Sequence, residues 1–143
     1  MKKNVLTKLF LGVTCMFLLL AIGKVSNAET KDFTLTLHRN GVGNDALSKK
    51  TIKAGGTAYE NKCYVTTNSM QGSGIIYVKS IKYTDSAIKS KQDLSLNSSD
   101  SIGKTKSCEY NKNAPSGDSY YLQGRYAINS KSDTIKAVGR YTP

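Results

Sequence analysis

The chain contains little of what a reactive centre needs. It has no tryptophan, one histidine and two prolines among its 143 residues. Any catalytic site of the Ser/His/Asp or Cys/His type would have to use His38, and no Gly-x-Ser-x-Gly motif is present to hold a nucleophile on a strained turn. His38 itself falls on the polar side of a strand pattern, where a solvated or hydrogen-bonded histidine is usual. We therefore predict no catalytic residues and a non-enzymatic protein.

Patterns for binding metals and cofactors are also absent. The sequence has no Cys-x-x-Cys pair of the kind that serves zinc or redox chemistry, and no Asp-x-Asp-x-Asp run for calcium. Gly41-Val42-Gly43 and Gly72-Ser73-Gly74 are too short to cradle a phosphate group. The sequence therefore predicts no metal site and no small-molecule cofactor.

One long apolar run occurs, and it lies at the N-terminus. Three lysines precede the 14-residue uncharged segment 9–22, and Ser26 and Ala28 are the small residues that a signal peptidase reads. The run is shorter than the roughly 20 residues that cross a bilayer. We expect residues 1–28 to be a cleaved secretory signal peptide that takes Cys15 with it, and residues 29–143 to be one secreted domain.

The charge balance is strongly basic. The whole chain carries 21 lysines and arginines against 10 acidic residues, and four of the lysines but none of the acids lie in residues 1–28. The predicted mature chain therefore keeps a net charge of +7. Outside a cell, such a charge favours an anionic cell-wall polymer or membrane surface as a partner, although it also serves solubility alone.

Two cysteines remain after the predicted cleavage, Cys63 and Cys108. An even number of cysteines in an exported domain indicates a disulfide bond. The bond would close a loop of 46 residues. Chain-entropy arguments assign such a loop up to about 4 kcal/mol of stabilisation, a large share of a small domain's stability.

Strand patterns dominate the mature chain, and no segment keeps a helical period of apolar residues for three turns. Residues 33–38 alternate strictly, with Phe33, Leu35 and Leu37 on one side. The segment 74–84 has apolar residues on both sides, so its buried face stays undecided. The predicted strands are 33–38, 47–53, 58–67, 74–84, 93–96, 104–110, 119–129 and 134–142. Their number and spacing predict an all-β fold, a small antiparallel β-sandwich or alternatively a small β-barrel.

Tyrosine and basic residues alternate along several of these strands. A tyrosine ring offers a flat apolar face, and a neighbouring cation can bind an anionic group, a combination that suits sugars and phosphate-bearing polymers. The same pattern also arises where tyrosine is simply a good strand residue and lysine protects an exposed edge. The candidate binding residues are Tyr77, Lys79, Lys82, Tyr83, Tyr120, Tyr121, Arg125, Tyr126, Arg140 and Tyr141.

A small secreted ribonuclease is the enzymatic alternative. Such an enzyme can use a carboxylate as base, a histidine as acid and an arginine to bind the phosphate. Glu60 or Glu109, His38, and Arg125 or Arg140 supply these residue types. Their spacing does not single out a site, and we do not expect nucleic acid as the partner.

Four short motifs resemble a family of small secreted β proteins. The motifs are Asn61-Lys62-Cys63-Tyr64-Val65, Gly72-Ser73-Gly74, Tyr120-Tyr121-Leu122-Gln123 and Val138-Gly139-Arg140-Tyr141. The family is an uncharacterised one from Gram-positive bacteria, often encoded beside bacteriocin-type export systems. The resemblance implies an extracellular role in antimicrobial or envelope biology and no catalytic residues. The leading hypothesis is a secreted domain that binds an anionic envelope component, and the alternative is a bacteriocin-like protein or its accessory.

Overall fold

The computed structural model describes residues 29–40, 45–53, 55 and 61–143. The predicted signal peptide and the first residues of the predicted strand 58–67 lie outside the described residues. None of the described residues belongs to a helix, and none forms one that could cross a membrane. The strands are β1 (Lys31–His38), β2 (Asp45–Leu47), β3 (Thr51–Ile52), β4 (Lys62–Gln71), β5 (Ile75–Lys82), β6 (Leu94–Asn97), β7 (Thr105–Glu109), β8 (Ser119–Tyr126) and β9 (Thr134–Thr142).

These strands form two antiparallel sheets that enclose one core. Sheet A has the order β1-β9-β4-β7, and sheet B has the order β2-β8-β5-β6. The short strand β3 also pairs with β8, so that β2 and β3 share one edge of sheet B. Buried side chains from both sheets make up a single hydrophobic cluster. The prediction of an all-β fold with the character of a small antiparallel sandwich is confirmed.

Alternation along each strand decides which side chains enter the core. In β1, Phe33, Leu35 and Leu37 are buried and the residues between them are exposed. In β5, which the sequence left undecided, Ile76 and Val78 face the core. The outward residues of β5 therefore include Tyr77 and Lys79, so two of the predicted binding residues lie on the outward face of sheet B.

Three tyrosines predicted as binding residues belong to the core instead. Tyr120, Tyr126 and Tyr141 are 0%, 8% and 1% exposed. The reason is the two-residue period of a strand, which places Tyr120 and Tyr126 on the same inward side of β8 as Leu122. The same period sends a tyrosine inward when the arginine before it points outward. This happens twice, in Arg125-Tyr126 on β8 and in Arg140-Tyr141 on β9. The prediction that these three tyrosines contact a ligand is therefore wrong.

The buried tyrosines are held by hydrogen bonds. The Ser80 hydroxyl lies 2.6 Å from the Tyr110 hydroxyl and 2.5 Å from that of Tyr141, so one serine on sheet B joins two phenols inside the core. Tyr120 donates to the carbonyl of Pro115 at 3.3 Å. Burial raises the pKa of Tyr110, Tyr120 and Tyr141 above the ordinary value, so all three stay neutral at physiological pH.

The two mature cysteines are cross-strand neighbours. Cys63 on β4 lies directly opposite Cys108 on β7, and both side chains are buried. The two sulfurs are not bonded to each other in this structure. The register therefore places the pair that the sequence selected side by side, and the disulfide itself stays a prediction.

Candidate functional site

An open groove of about 350 Å³ lies on the outward face of sheet B. Strand alternation supplies its floor, because the outward residues of β5 and β8 fall in neighbouring rows. The segment 85–90 and the residue just before β6 form its sides. The lining residues are Tyr77, Lys79, Ile81, Ser86, Lys89, Asp93, Gln123 and Arg125.

One carboxylate in the groove binds two cations. Lys79 Nζ lies 2.9 Å from Asp93 Oδ1, and Arg125 Nη2 lies 2.6 Å from Asp93 Oδ2. Each oxygen of the carboxylate therefore serves a different cation. The side chain of Arg125 is 63% exposed, so its remaining N–H groups stay available to solvent or to a ligand.

Lys89 adds a third cation to the same groove. It is brought there by the β-bridge between Ile81 and Lys89, which places the segment 85–90 beside the end of β5. Its side chain is exposed, and no acidic group in the described part of the chain lies within ion-pairing distance of it. With three cations and one carboxylate, the groove carries an excess of two positive charges.

Tyr77 gives the groove a flat aromatic surface. It lies directly opposite Arg125 in the pairing of β5 with β8, and the guanidinium carbon of Arg125 is 5.7 Å from the centre of the Tyr77 ring. This distance is within the range of a cation–π contact, which holds the guanidinium against the ring. The groove therefore presents an aromatic face and cationic donors side by side.

Three further candidates lie on or beside sheet B without lining the groove. Lys82 is bound to Asp118 at 2.6 Å, and its side chain is 14% exposed, so this lysine serves the fold. Tyr83 is half exposed, and Lys50 Nζ sits 3.1 Å above its ring. Tyr121 faces outward on β8 and is partly buried. The lysine at the Tyr83 ring is therefore Lys50 and not one of the two lysines, Lys79 and Lys82, that precede it on β5.

Arg140 does not belong to this site. It points outward from β9, a strand of sheet A, whereas the groove lies on sheet B. The sequence grouped it with Arg125 because both arginines lie next to a tyrosine in a predicted strand. The structure separates the two arginines onto the two outward faces of the sandwich, which makes Arg140 a natural control for Arg125.

Among the described residues, His38 and Glu109, which a ribonuclease would need close together, are far apart. His38 on β1 and Glu109 on β7 lie on the two edge strands of sheet A, with two strands between them, roughly 14 Å across the sheet. Glu109 is bound to Lys91 at 2.7 Å, and His38 Nδ1 lies 2.9 Å from the hydroxyl of Thr134. Glu60 lies outside the described residues.

Sequence reasoning missed five of the eight groove residues, Ile81, Ser86, Lys89, Asp93 and Gln123. Gln123 follows from strand parity once Arg125 is placed outward, because the two residues are two apart on β8. Lys89 and Asp93 carry no such signal, since they lie in a polar connection whose path depends on the bridge at Ile81.

A metal site finds no support in the described residues, and the comparisons with known proteins add no relative. No group of three or more His, Cys, Asp or Glu side chains that could hold a metal ion occurs among them. No protein-family model, no curated protein and no solved structure matches the chain.

Proposed function

We propose that this protein is exported and binds an anionic component of a cell envelope through the groove on sheet B. The single observation that carries the proposal is that Lys79, Lys89 and Arg125 line one groove with a single carboxylate, beside the ring of Tyr77. The export part rests on the pattern of residues 1–28. The rest of the surface charge, which is basic as well, adds long-range attraction for the same class of partner.

The shape and chemistry of the groove favour a repeating, flexible ligand. The groove is an open depression along a sheet face, so it suits a segment of a chain or a headgroup surface better than a small molecule that must be enclosed. The ring of Tyr77 can stack on a sugar or other flat unit, and the exposed guanidinium of Arg125 can bind a phosphate or carboxylate with two parallel hydrogen bonds. Phosphate and carboxylate groups occur both on wall polymers and on lipid headgroups.

We also propose that Cys63 and Cys108 form a disulfide in the exported protein. Their direct opposition in the register of β4 and β7 supports this pairing. The bond would join an inner strand of sheet A to its edge strand and so hold β7 in place. Holding β7 in place would also support β6 of sheet B, because Lys106 on β7 is bonded to Asp100 and to the carbonyl of Ser95 on β6.

The proposal is tested by binding the purified protein, in parallel, to purified Gram-positive cell walls, to liposomes containing an anionic phospholipid, and to RNA. We expect binding to walls or to anionic liposomes to weaken steeply between low and physiological ionic strength, because the attraction is between exposed charges. Whichever of these two surfaces retains the protein names the source of the anion.

Two outcomes contradict the proposal. One is the absence of binding to both envelope surfaces at low salt. The other is binding that does not change with salt, since that would place the interaction on apolar contacts outside the groove. Tight binding to RNA alone would assign the groove to a nucleic acid.

A further inference from the structure

The cysteine pair differs in how far each sulfur lies from solvent. Cys63 is 1% exposed, and Cys108 is 6% exposed. Cys108 also lines a surface depression of about 360 Å³, together with Lys62, Lys91, Gln92, Ser107 and Glu109. Cys63 is not part of that lining. A reagent in solution can therefore approach Cys108 through the depression, whereas Cys63 lies behind it in the core.

The register brings the two cysteines within bonding reach. Tyr110 N donates to the carbonyl of Asn61 at 2.8 Å, so these two residues form a hydrogen-bonded pair of the ladder. In an antiparallel ladder, hydrogen-bonded pairs alternate with pairs that are not hydrogen-bonded. Cys63 lies two residues after Asn61 and Cys108 two residues before Tyr110, so the two cysteines form the next hydrogen-bonded pair. Cα atoms in such a pair are typically about 5.5 Å apart, inside the range that a disulfide spans.

The surroundings of the two sulfurs also differ. Lys62 and Lys91 both line the depression, and Lys91, which is paired with Glu109, also interacts electrostatically with Cys108. The Cys108 sulfur lies 3.3 Å from the carbonyl oxygen of Glu109 and 3.5 Å from that of Gln92. Cys63 lies deeper than Cys108: burial raises the pKa of its thiol to about 12, so it stays protonated at neutral pH.

We propose that Cys108 is the site at which this protein exchanges with external organic disulfides and thiols, and that Cys63 is the resolving residue. This rests on the disulfide proposed above and adds the route by which it forms and opens. It assigns two different roles to two residues that the sequence treats alike.

The oxidation proceeds in two exchange steps. The Cys108 thiolate attacks one sulfur of an external disulfide, the S–S bond of that reagent breaks, and one thiolate leaves with the bonding electron pair. The Cys63 thiol then gives its proton to water and attacks the Cys108 sulfur, which releases the second thiolate. Two electrons pass in total from the cysteine pair to the reagent, and reduction by an external dithiol reverses both steps.

The test uses the reduced protein and oxidised glutathione as the probe, in a Cys15→Ser background so that only the opposed pair can react. The reaction is quenched with acid, and products are identified by intact mass and peptide mapping. We expect the Cys63→Ser variant to accumulate a single glutathione adduct on Cys108. The Cys108→Ser variant should react at Cys63 at least about tenfold more slowly, because the Cys63 thiol is buried and stays protonated.

A second measurement uses the protein that keeps both Cys63 and Cys108, so that its result does not depend on whether the serine variants fold. Brief alkylation of this native, reduced protein with iodoacetamide, followed by mapping, should label Cys108 before Cys63. Equal rates at the two sulfurs, or faster reaction at Cys63, overturns the proposal. In the glutathione reaction this same protein should lose two hydrogen atoms as the disulfide forms. A lasting glutathione adduct on Cys108 without that loss of mass supports Cys108 as the entry site but overturns the resolving role of Cys63 and the disulfide with it.

Discussion

Arg125 on β8 donates to Asp93 across 2.6 Å, and this contact spans the outward face of β5 that lies between them. Asp93 thereby neutralises part of the positive charge that the groove offers to a ligand. An arriving anion competes with this carboxylate for Arg125 and also for Lys79, which Asp93 binds at 2.9 Å. The Asp93 carboxylate therefore competes weakly with an anionic ligand for the same two cations. Removing its charge should raise the affinity for that ligand, whereas most substitutions in a binding site lower it.

We expect Asp93→Asn to bind anionic walls or liposomes more tightly than the unchanged protein. The amide keeps the size of the side chain but removes the competing charge, and we expect a gain of roughly two- to tenfold at low salt. The measurement is a binding isotherm on the surface that retained the protein.

Asp32→Asn is the matched control for that experiment. It changes the net charge by the same amount, but Asp32 is exposed on β1 at the outward face of sheet A. If both substitutions raise the affinity equally, net charge alone explains the binding and the groove has no special role.

Lys53 predicts a particular pH dependence of stability. Its side chain is 1% exposed, Nζ donates to the carbonyl of Lys62 at 2.9 Å, and burial lowers the pKa to about 8 from 10.5. Between these two values the unfolded chain holds a proton that the folded protein has released. The free energy of unfolding therefore rises with pH through that window, and the penalty for burying the charge is fully present below pH 8.

Lys53→Met isolates this effect. The variant lacks the titration, so the stability of the unchanged protein should rise relative to that of the variant between pH 8 and 10.5, by an amount on the order of 3 kcal/mol over the whole window. Denaturant unfolding of both proteins at several pH values measures it, and groups that titrate alike in both proteins cancel in the difference. A difference that stays constant with pH would contradict the assignment. Lys112→Met, at an exposed position, controls for the loss of a lysine.

Gly139 predicts a loss of stability with a steric cause. It lies opposite Phe33 in the pairing of β9 with β1, and a Cβ atom at Gly139 would come within 2.1 Å of the carbonyl oxygen of Thr66 and 2.9 Å of the Phe33 ring. Gly139→Ala should therefore lower the free energy of unfolding by about 1–3 kcal/mol, because neither the strand nor the ring can move freely. The outward neighbour Val138→Ala is the control, and an equal or smaller effect at Gly139 would show that the packing there is loose.

The sequence predicted the strands well because their signal is local. Alternating residues, as in Phe33, Leu35 and Leu37, report which side of a strand is buried without reference to its partners. The prediction failed where residues on opposite sides of one strand were treated as a single surface, which is how Tyr120, Tyr126 and Tyr141 entered the list of binding residues.

The groove was only partly predictable for a different reason. Tyr77, Lys79 and Arg125 share a face because β5 and β8 pair within sheet B, and a pairing of strands so distant in the chain leaves no local trace in the sequence. Lys89 and Asp93 join them through a polar connection whose path no periodicity records. The opposition of Cys63 and Cys108 was easier, since the count of cysteines alone left one possible pair.

The most direct test of the groove compares two arginines in one experiment. The affinity of the purified protein for the envelope surface that retains it is measured across a salt series for the unchanged protein, for Arg125→Ala and for Arg140→Ala, which remove the same charge from opposite faces of the sandwich. We predict that Arg125→Ala weakens binding by about tenfold and flattens the dependence on salt, while Arg140→Ala stays within about twofold. Equal effects of the two substitutions, or a larger effect at Arg140, would contradict the assignment of binding to the groove on sheet B.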